Sequence, residues 1–297
     1  MNSTELQYPA TYNIAENASQ DYQKKHILSK KWEYGSIILA AFIGIFPIDS
    51  VQQFYWPAFF TGLSLLVALF VLVLEKSLKF QKGWYRTRVL AESVKAESWK
   101  FRCCCKPYSQ PLALNDAIKQ FLDILSKIKE TSYATKFLSG YLSSGDEVTE
   151  DMISTRQISL KERVSYYRKF RIEEQLNWYS TKANNAKTYY DRFYIAAIIC
   201  LLIGIILSIF KFFGKTGQYA FVGFFSSAVI ALFGWMQVRR YETLSITYAK
   251  VVEELQAISQ ILSLDSTTEE DFEEMVNATE MIISKEHTTW VTKSGVV

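Results

Sequence analysis

The sequence predicts an all-α membrane protein, with four transmembrane helices in two hairpins and long helices extending into a cytoplasmic helical bundle. Three observations predict it. Four apolar segments occur, at 34–48, 57–75, 193–212 and 219–238. Lys and Arg crowd the outer flanks of each segment pair and thin out in its turn. Tyr and Trp mark the ends of the segments, at Trp32, Tyr34, Tyr55, Trp56, Tyr194, Tyr219, Trp235 and Tyr241, where amphipathic rings prefer the headgroup level.

A bilayer core about 30 Å thick needs roughly 20 helical residues. The second, third and fourth segments meet that length, and no Asp, Glu, Lys or Arg stands within 57–74, 193–210 or 219–238. The first is short and ends on Pro47 and Ile48. Charge placement makes it a crossing. Lys24, Lys25, Lys30 and Lys31 precede it, and Lys76, Lys79, Lys82, Arg86 and Arg88 follow the second segment. The turn between, 49–56, holds neither Lys nor Arg. Without a first crossing, one basic cluster would lie outside, against the positive-inside rule. The second pair repeats the pattern, with Lys182, Lys187 and Arg192 before it and Arg239 and Arg240 after it. Its turn carries Lys211 and Lys215, a weaker contrast of the same sign. Both termini are therefore expected in the cytoplasm of a multi-pass protein of the cell (inner) membrane.

A net charge of +3 is too small to suggest nucleic-acid binding. The cations sit beside the apolar segments, where each gains about 1 kcal/mol near anionic headgroups. The polar N-terminus lacks the features of a signal peptide. Cys103, Cys104 and Cys105 are consecutive, Cys200 lies in the third segment, and His26 and His287 are the only histidines. Zinc requires spaced Cys and His ligands, so no metal ligand is assigned. Near a membrane the three cysteines are candidates for S-acylation in a eukaryote. The plainer expectation is reduced thiols at a helix end. No GxSxG, P-loop, strand-borne GxGxxG or HExxH motif occurs. The expectation is no catalytic residue, no cofactor and no enzyme.

Along the chain, residues 1–20 read as disordered, and 21–138 form a first module. No Gly or Pro interrupts 84–106, so 57–101 reads as one helix of about 65 Å. Pro107 ends it. Asn115 is a plausible N-cap for a helix whose Ile118, Phe121, Leu122, Leu125 and Ile128 share a face. The Gly/Ser-rich 139–147 is a flexible linker. A second module follows at 148–292, and 293–297 is a tail. Residues 148–203 lack Gly and Pro and read as a long helix entering the third crossing. Its aromatic and basic positions weakly suggest single-stranded nucleic acid. Interspersed Glu162, Glu173 and Glu174 favour helix packing instead. Residues 237–262 form another helix. Ser266 or Thr267 with Glu269 and Glu270 suggests a capping box for the last one, whose apolar stripe is Phe272, Met275, Val276, Thr279 and Ile283.

Particular residues point to a family. RIEEQLNWYSTKA at 171–183, TEDMISTRQISLKERVSYY at 149–167 and FEEMVNATEMIISKEHTTW at 272–290 resemble SLATT domains. GWYRTRVLAESVKAESWKFRCCCKPY at 83–108 resembles a second SLATT subtype, through Trp84, Arg88, Ala91, Glu92, Lys95 and Trp99. The resemblance implies two tandem two-transmembrane effector modules covering about residues 15–290. It implies a homo-oligomeric, pore-forming or membrane-perturbing effector of a prokaryotic antiviral or conflict system. Gating would pass through the cytoplasmic helices, in response to a nucleotide-derived signal or a nucleotide-signalling or sensor partner encoded nearby. Candidate coupling residues are Trp84, Arg88, Glu92, Trp99, Arg171, Gln175, Trp178, Tyr179, Glu286 and Trp290.

The apolar segments add small-residue stripes at Gly223, Ser227 and Ala231, at Ala40 and Gly44, and at Gly204 and Ser208. Such stripes admit close helix approach in lipid. They serve either packing within one protomer or a pore wall or protomer interface. With no charge inside the segments, a dewetting gate is expected rather than strong ion selectivity. The alternatives are a non-conducting membrane scaffold or sensor, and a small transporter. The transporter is disfavoured because Pro47 and Pro57 lie at segment ends rather than mid-membrane.

Overall fold

The computed structural model describes residues 6–46, 55–141, 145–214, 219–264 and 267–293, with side chains as far as Ser284. Ten α-helices occur among the described residues: α1 (Ala10–Ile43), α2 (Trp56–Leu78), α3 (Phe80–Arg102), α4 (Leu114–Thr131), α5 (Glu150–Gln157), α6 (Leu160–Tyr167), α7 (Glu174–Phe212), α8 (Phe221–Arg239), α9 (Tyr241–Ile261) and α10 (Glu269–Lys293). A π-helical turn, Arg168–Glu173, joins α6 to α7. The helix from Ala10 corrects the disorder expected at 1–20. Pro47, Ile48, most of the first turn and the tail beyond 293 lie outside the described residues.

The chain divides into two compact units, 1–23, 81–181 and 247–297 in one, 24–80 and 182–246 in the other. The first is a polar helical unit in which two larger cores stand out among the described residues. Around α4, Ala117, Phe121 and Leu125 are buried at i,i+4 spacing against Leu90, Val94, Phe101, Tyr108 and Met152. Leu122, expected on that face, is 41 % exposed, and Ala117 takes its place. The second core joins Trp99, Cys103 and Cys105 to Tyr167, Ile172, Leu262, Phe272 and Val276.

Caps set the helix boundaries. Absence of Gly and Pro does not make 148–203 continuous. Ile158 is extended, and Ser159 restarts the chain with a reciprocal capping box to Glu162. Thr268 and Asp271 bond reciprocally at the start of α10, where Thr267 was the expected cap, and Ser266 lies outside the described residues. Ala113, not Asn115, is the N-cap of α4, and Asp116 supplies negative charge in its first turn. Two arginines then cap the C-terminal end of α3. Arg156 donates to the Phe101 and Tyr108 carbonyls at 2.7 and 2.9 Å, and Arg163 donates to the Cys103 carbonyl at 2.8 Å. Such cations satisfy orphan carbonyls where the helix dipole is negative. They also bind α5 and α6 to α3, so the 139–147 segment does not separate two independent cores.

The second unit is apolar outside. Three helical stretches, Trp56–Arg102, Leu160–Phe212 and Phe221–Ile261, are long and apolar enough to cross a membrane. The expected single helix over 57–101 is interrupted. Lys79 ends α2 in the left-handed region at φ 54°, with its N–H on the Glu75 carbonyl at 2.9 Å. Arg240 ends α8 the same way at φ 51°, interrupting the helix expected over 237–262. His26 and Ser29 of α1 bond the Glu75 carboxylate of α2. Within this unit α1 also runs antiparallel to α8. Tyr34 meets Gly234 near one end, while the Ala220 N–H bonds the Ile45 carbonyl at 3.0 Å near the other. Phe42 and Phe224 meet edge to face at 5.7 Å between them.

Candidate functional site

The polar unit brings together in space most of the residues expected to couple. Arg171 stands in the π turn, 1 % exposed, and Glu280 of α10 is 2 % exposed. They pair side-on, with Nε to Oε1 at 2.9 Å and Nη2 to Oε2 at 2.6 Å. The Tyr167 hydroxyl donates to the same Oε1 at 3.0 Å. Burial works to strip charge from the guanidinium, but Glu280 outweighs it and holds Arg171 well above its ordinary value. Burial first, then Glu280, drives the Tyr167 phenol up, so it stays a donor. Trp99 packs edge to face on Tyr167 at 5.5 Å and is itself fully buried. Arg171 Nη1 has no hydrogen-bond partner among the described residues. Glu280 was not among the sequence candidates, although its spacing from Thr279 and Ile283 on an apolar stripe marked it as inward-facing.

Trp84, Arg88, Glu92, Gln175, Trp178 and Tyr179 line one cavity of about 170 Å³, together with Tyr12, Glu16, Lys95 and Glu174. Residues far apart in sequence thus share one wall, because α1, α3 and α7 all contribute to it. Lys95 lies over the Tyr8 and Tyr12 rings at 5.3 and 5.8 Å. Burial, then Arg171, depresses its ammonium against the pull of Glu92, Glu174 and Glu280. Trp178, Tyr179 and Tyr248 form an aromatic cluster with centroids 4.9–5.5 Å apart. Arg171 and Trp99 do not line this cavity. Glu286 and Trp290 lie beyond the described side chains.

In the apolar unit the small-residue positions separate. Ala40 and Ala231 are buried, at 5 and 4 % exposure. Gly44, Ser208 and Gly223 are exposed, and Gly204 and Ser227 are half-buried. A Cβ on Gly223 would meet nothing within 4 Å, and one on Gly204 would sit 3.6 Å from Phe225 Cβ, an ordinary contact. The tight approach is elsewhere, at Gly234, where a Cβ would stand 2.8 Å from the Tyr34 hydroxyl. Ser227 donates to the Gly223 carbonyl one turn back at 2.9 Å, so its hydroxyl is satisfied within the helix.

Cys103, Cys104 and Cys105 are 1, 5 and 1 % exposed. Burial pushes the Cys103 and Cys105 thiols up, which makes them poor nucleophiles. Their burial removes the surface access that S-acylation needs. No group of three or more His, Cys, Asp or Glu among the described residues could hold a metal ion.

Helices without strands among the described residues, three of them in stretches long and apolar enough to span a bilayer, define the class as a helical membrane protein. Residues 9–164 match the SMODS and SLOG-associating 2TM effector domain 3, and residues 167–290 match domain 1 of the same series. The chain belongs to the SLATT family and carries two subtypes in tandem. No curated protein and no solved structure matches it. The two matches abut between residues 164 and 167.

Proposed function

We propose that this chain is an oligomeric membrane effector of a prokaryotic defence system, opened through its polar helices. In this reading four crossings, not three, span the cell membrane with both termini cytoplasmic. The observation that carries it is α7. It holds Gln175, Trp178 and Tyr179 at the cavity and continues as one helix through the apolar run 193–210. A stiff helix carrying a binding wall at one end and a membrane segment at the other can convert occupancy into movement. The antiparallel course of α1 beside α8 supports the fourth crossing, because the short first segment then has a spanning partner along its length.

Four helices enclose no wide pore, so several copies assemble, and anionic headgroups hold the basic flanks. The signal is a nucleotide-derived ligand or a partner protein. Nucleic acid is not a ligand, and the chain is not an enzyme. Planar-bilayer recording of the purified chain, with extract from virus-challenged cells as activator, tests conduction. Discrete openings on addition of extract are expected. Silence under an extract that arrests cells carrying the chain supports the second reading, a scaffold whose hairpins only anchor it.

A further inference from the structure

Two charges in the cavity walled by α1, α3 and α7 have no direct partner. Lys95 makes neither a hydrogen bond nor an ion pair among the described residues, and only the Tyr8 and Tyr12 rings flank its ammonium. The Glu174 carboxylate, on the α7 wall, likewise accepts no hydrogen bond and joins no ion pair among them. The two attract each other but stand too far apart to pair directly. The other charges of the cavity are taken. Arg88 and Glu92, opposite in sign and one turn apart on α3, are each already engaged, and Glu16 accepts from Gln20 at 2.8 Å. A charge held out of water normally finds a partner, because leaving it without one is costly.

Depth separates the two. Lys95 is half-buried, and burial acts on its ammonium, whereas Glu174 and Trp178 are exposed at the mouth. Glu174 and Trp178 are four residues apart, so they share one face of α7. A carboxylate beside an indole face attracts a cation. Inside, Arg171 adds its repulsion to Lys95, which an oxyanion on Lys95 would relieve. A simple anion meets Glu174, and a simple cation meets Lys95. A molecule carrying both charges satisfies both. The volume, about 170 Å³, is that of roughly six waters in the liquid, which suits a molecule of amino-acid size. Tyr12, Trp84 and Tyr179 supply ring surface for a short apolar side chain.

We propose that this cavity binds a zwitterionic α-amino acid with a short apolar side chain, its carboxylate on Lys95 and its ammonium between Glu174 and the Trp178 ring. The amino acid is a second effector, distinct from the activating signal named above. While bound it ties α3 to α7 through one charged hydrogen bond at each end. Its effect on the membrane rests on the gating reading, but its binding needs neither conduction nor assembly.

The test is calorimetry with thermal melts on the full chain in detergent. Valine is the probe, and isobutylamine and isovalerate, which each keep one of its charges, are the controls. Valine is expected to bind, and each control to bind about tenfold more weakly or worse, as loss of one charged hydrogen bond predicts. Lys95→Met should weaken valine by a similar factor and favour isobutylamine over isovalerate. Glu174→Gln should also weaken valine and reverse that preference. The proposal is overturned if millimolar valine leaves both heat and melt of the wild type unchanged, or if either control binds as well as valine. It is equally overturned if either substitution leaves valine binding as in the wild type. Should Lys95→Met fail to fold, Glu174→Gln, at an exposed position, still decides. Because the readout is binding alone, a silent membrane counts against the gating reading and not against this site.

Discussion

Arg171 and Glu280 are the most deeply buried opposite charges in the polar unit, and their pairing is reciprocal in cost. Removing one partner strands the other in a low-dielectric core, a loss of about 3–5 kcal/mol. Glu280→Gln is therefore expected to lower the denaturant midpoint sharply, read by tryptophan fluorescence of the full chain in detergent. Joint replacement of both by Met should cost less, since neither charge is then left unpaired. Glu147 gives a pH-dependent case. Burial raises its carboxyl, but the Thr11 hydroxyl and N–H and Lys129 at 2.9 Å outweigh that and hold it below the ordinary range. Its contribution is complete above the unfolded value of about 4.3 and disappears as pH falls through the lower folded value. A thermal-melt series is expected to show an acid loss that Glu147→Gln reduces. The glycines divide by neighbour. Gly83→Ala would place a Cβ 2.8 Å from the Tyr22 ring, and Gly234→Ala one equally close to Tyr34, whereas Gly223→Ala meets open space. Melts in detergent should show losses of about 1–3 kcal/mol for the first two and near-neutrality for the third. Residue types in a small-xxx-small stripe could not reveal this, because which glycine a neighbouring ring covers is set by α1, remote in sequence.

At the scale of elements, apolar runs and charge flanks made the helices legible, and their interruptions were not. Neither Lys79 nor Arg240 has the residue type that favours a left-handed break, yet both end an apolar helix at positive φ. A non-glycine residue there costs roughly 1–2 kcal/mol. Lys79→Gly and Arg240→Gly should each raise the melting temperature modestly, less whatever the cation contributes at the helix C-terminus. No gain in either would contradict the strain assigned to these caps. The break at Ser159 was readable in principle, since Ser-x-x-Glu is a capping signature. A run without Gly or Pro hides the break, because such a run reads as one continuous helix. The π turn left no readable mark, because one inserted residue does not disturb an apolar pattern already irregular at 168–176.

Across the whole molecule, the sequence pattern separated polar from apolar stretches, and the compact units follow that division rather than chain order. Six of the ten candidate coupling residues line one cavity, which no spacing rule could show, since α1, α3 and α7 meet only in three dimensions. Nor could spacing show that Arg156 and Arg163 reach back to the α3 end. What unites the scales is α7, continuous from the cavity wall to the apolar run. The most direct test of membrane effector action is inducible expression in bacteria, with the neighbouring genes, under phage challenge and a depolarisation-sensitive dye. The account predicts loss of membrane potential on challenge, ahead of arrested growth and abolished by a chain lacking 193–238. Cells that keep both potential and growth rate under the same challenge would contradict it.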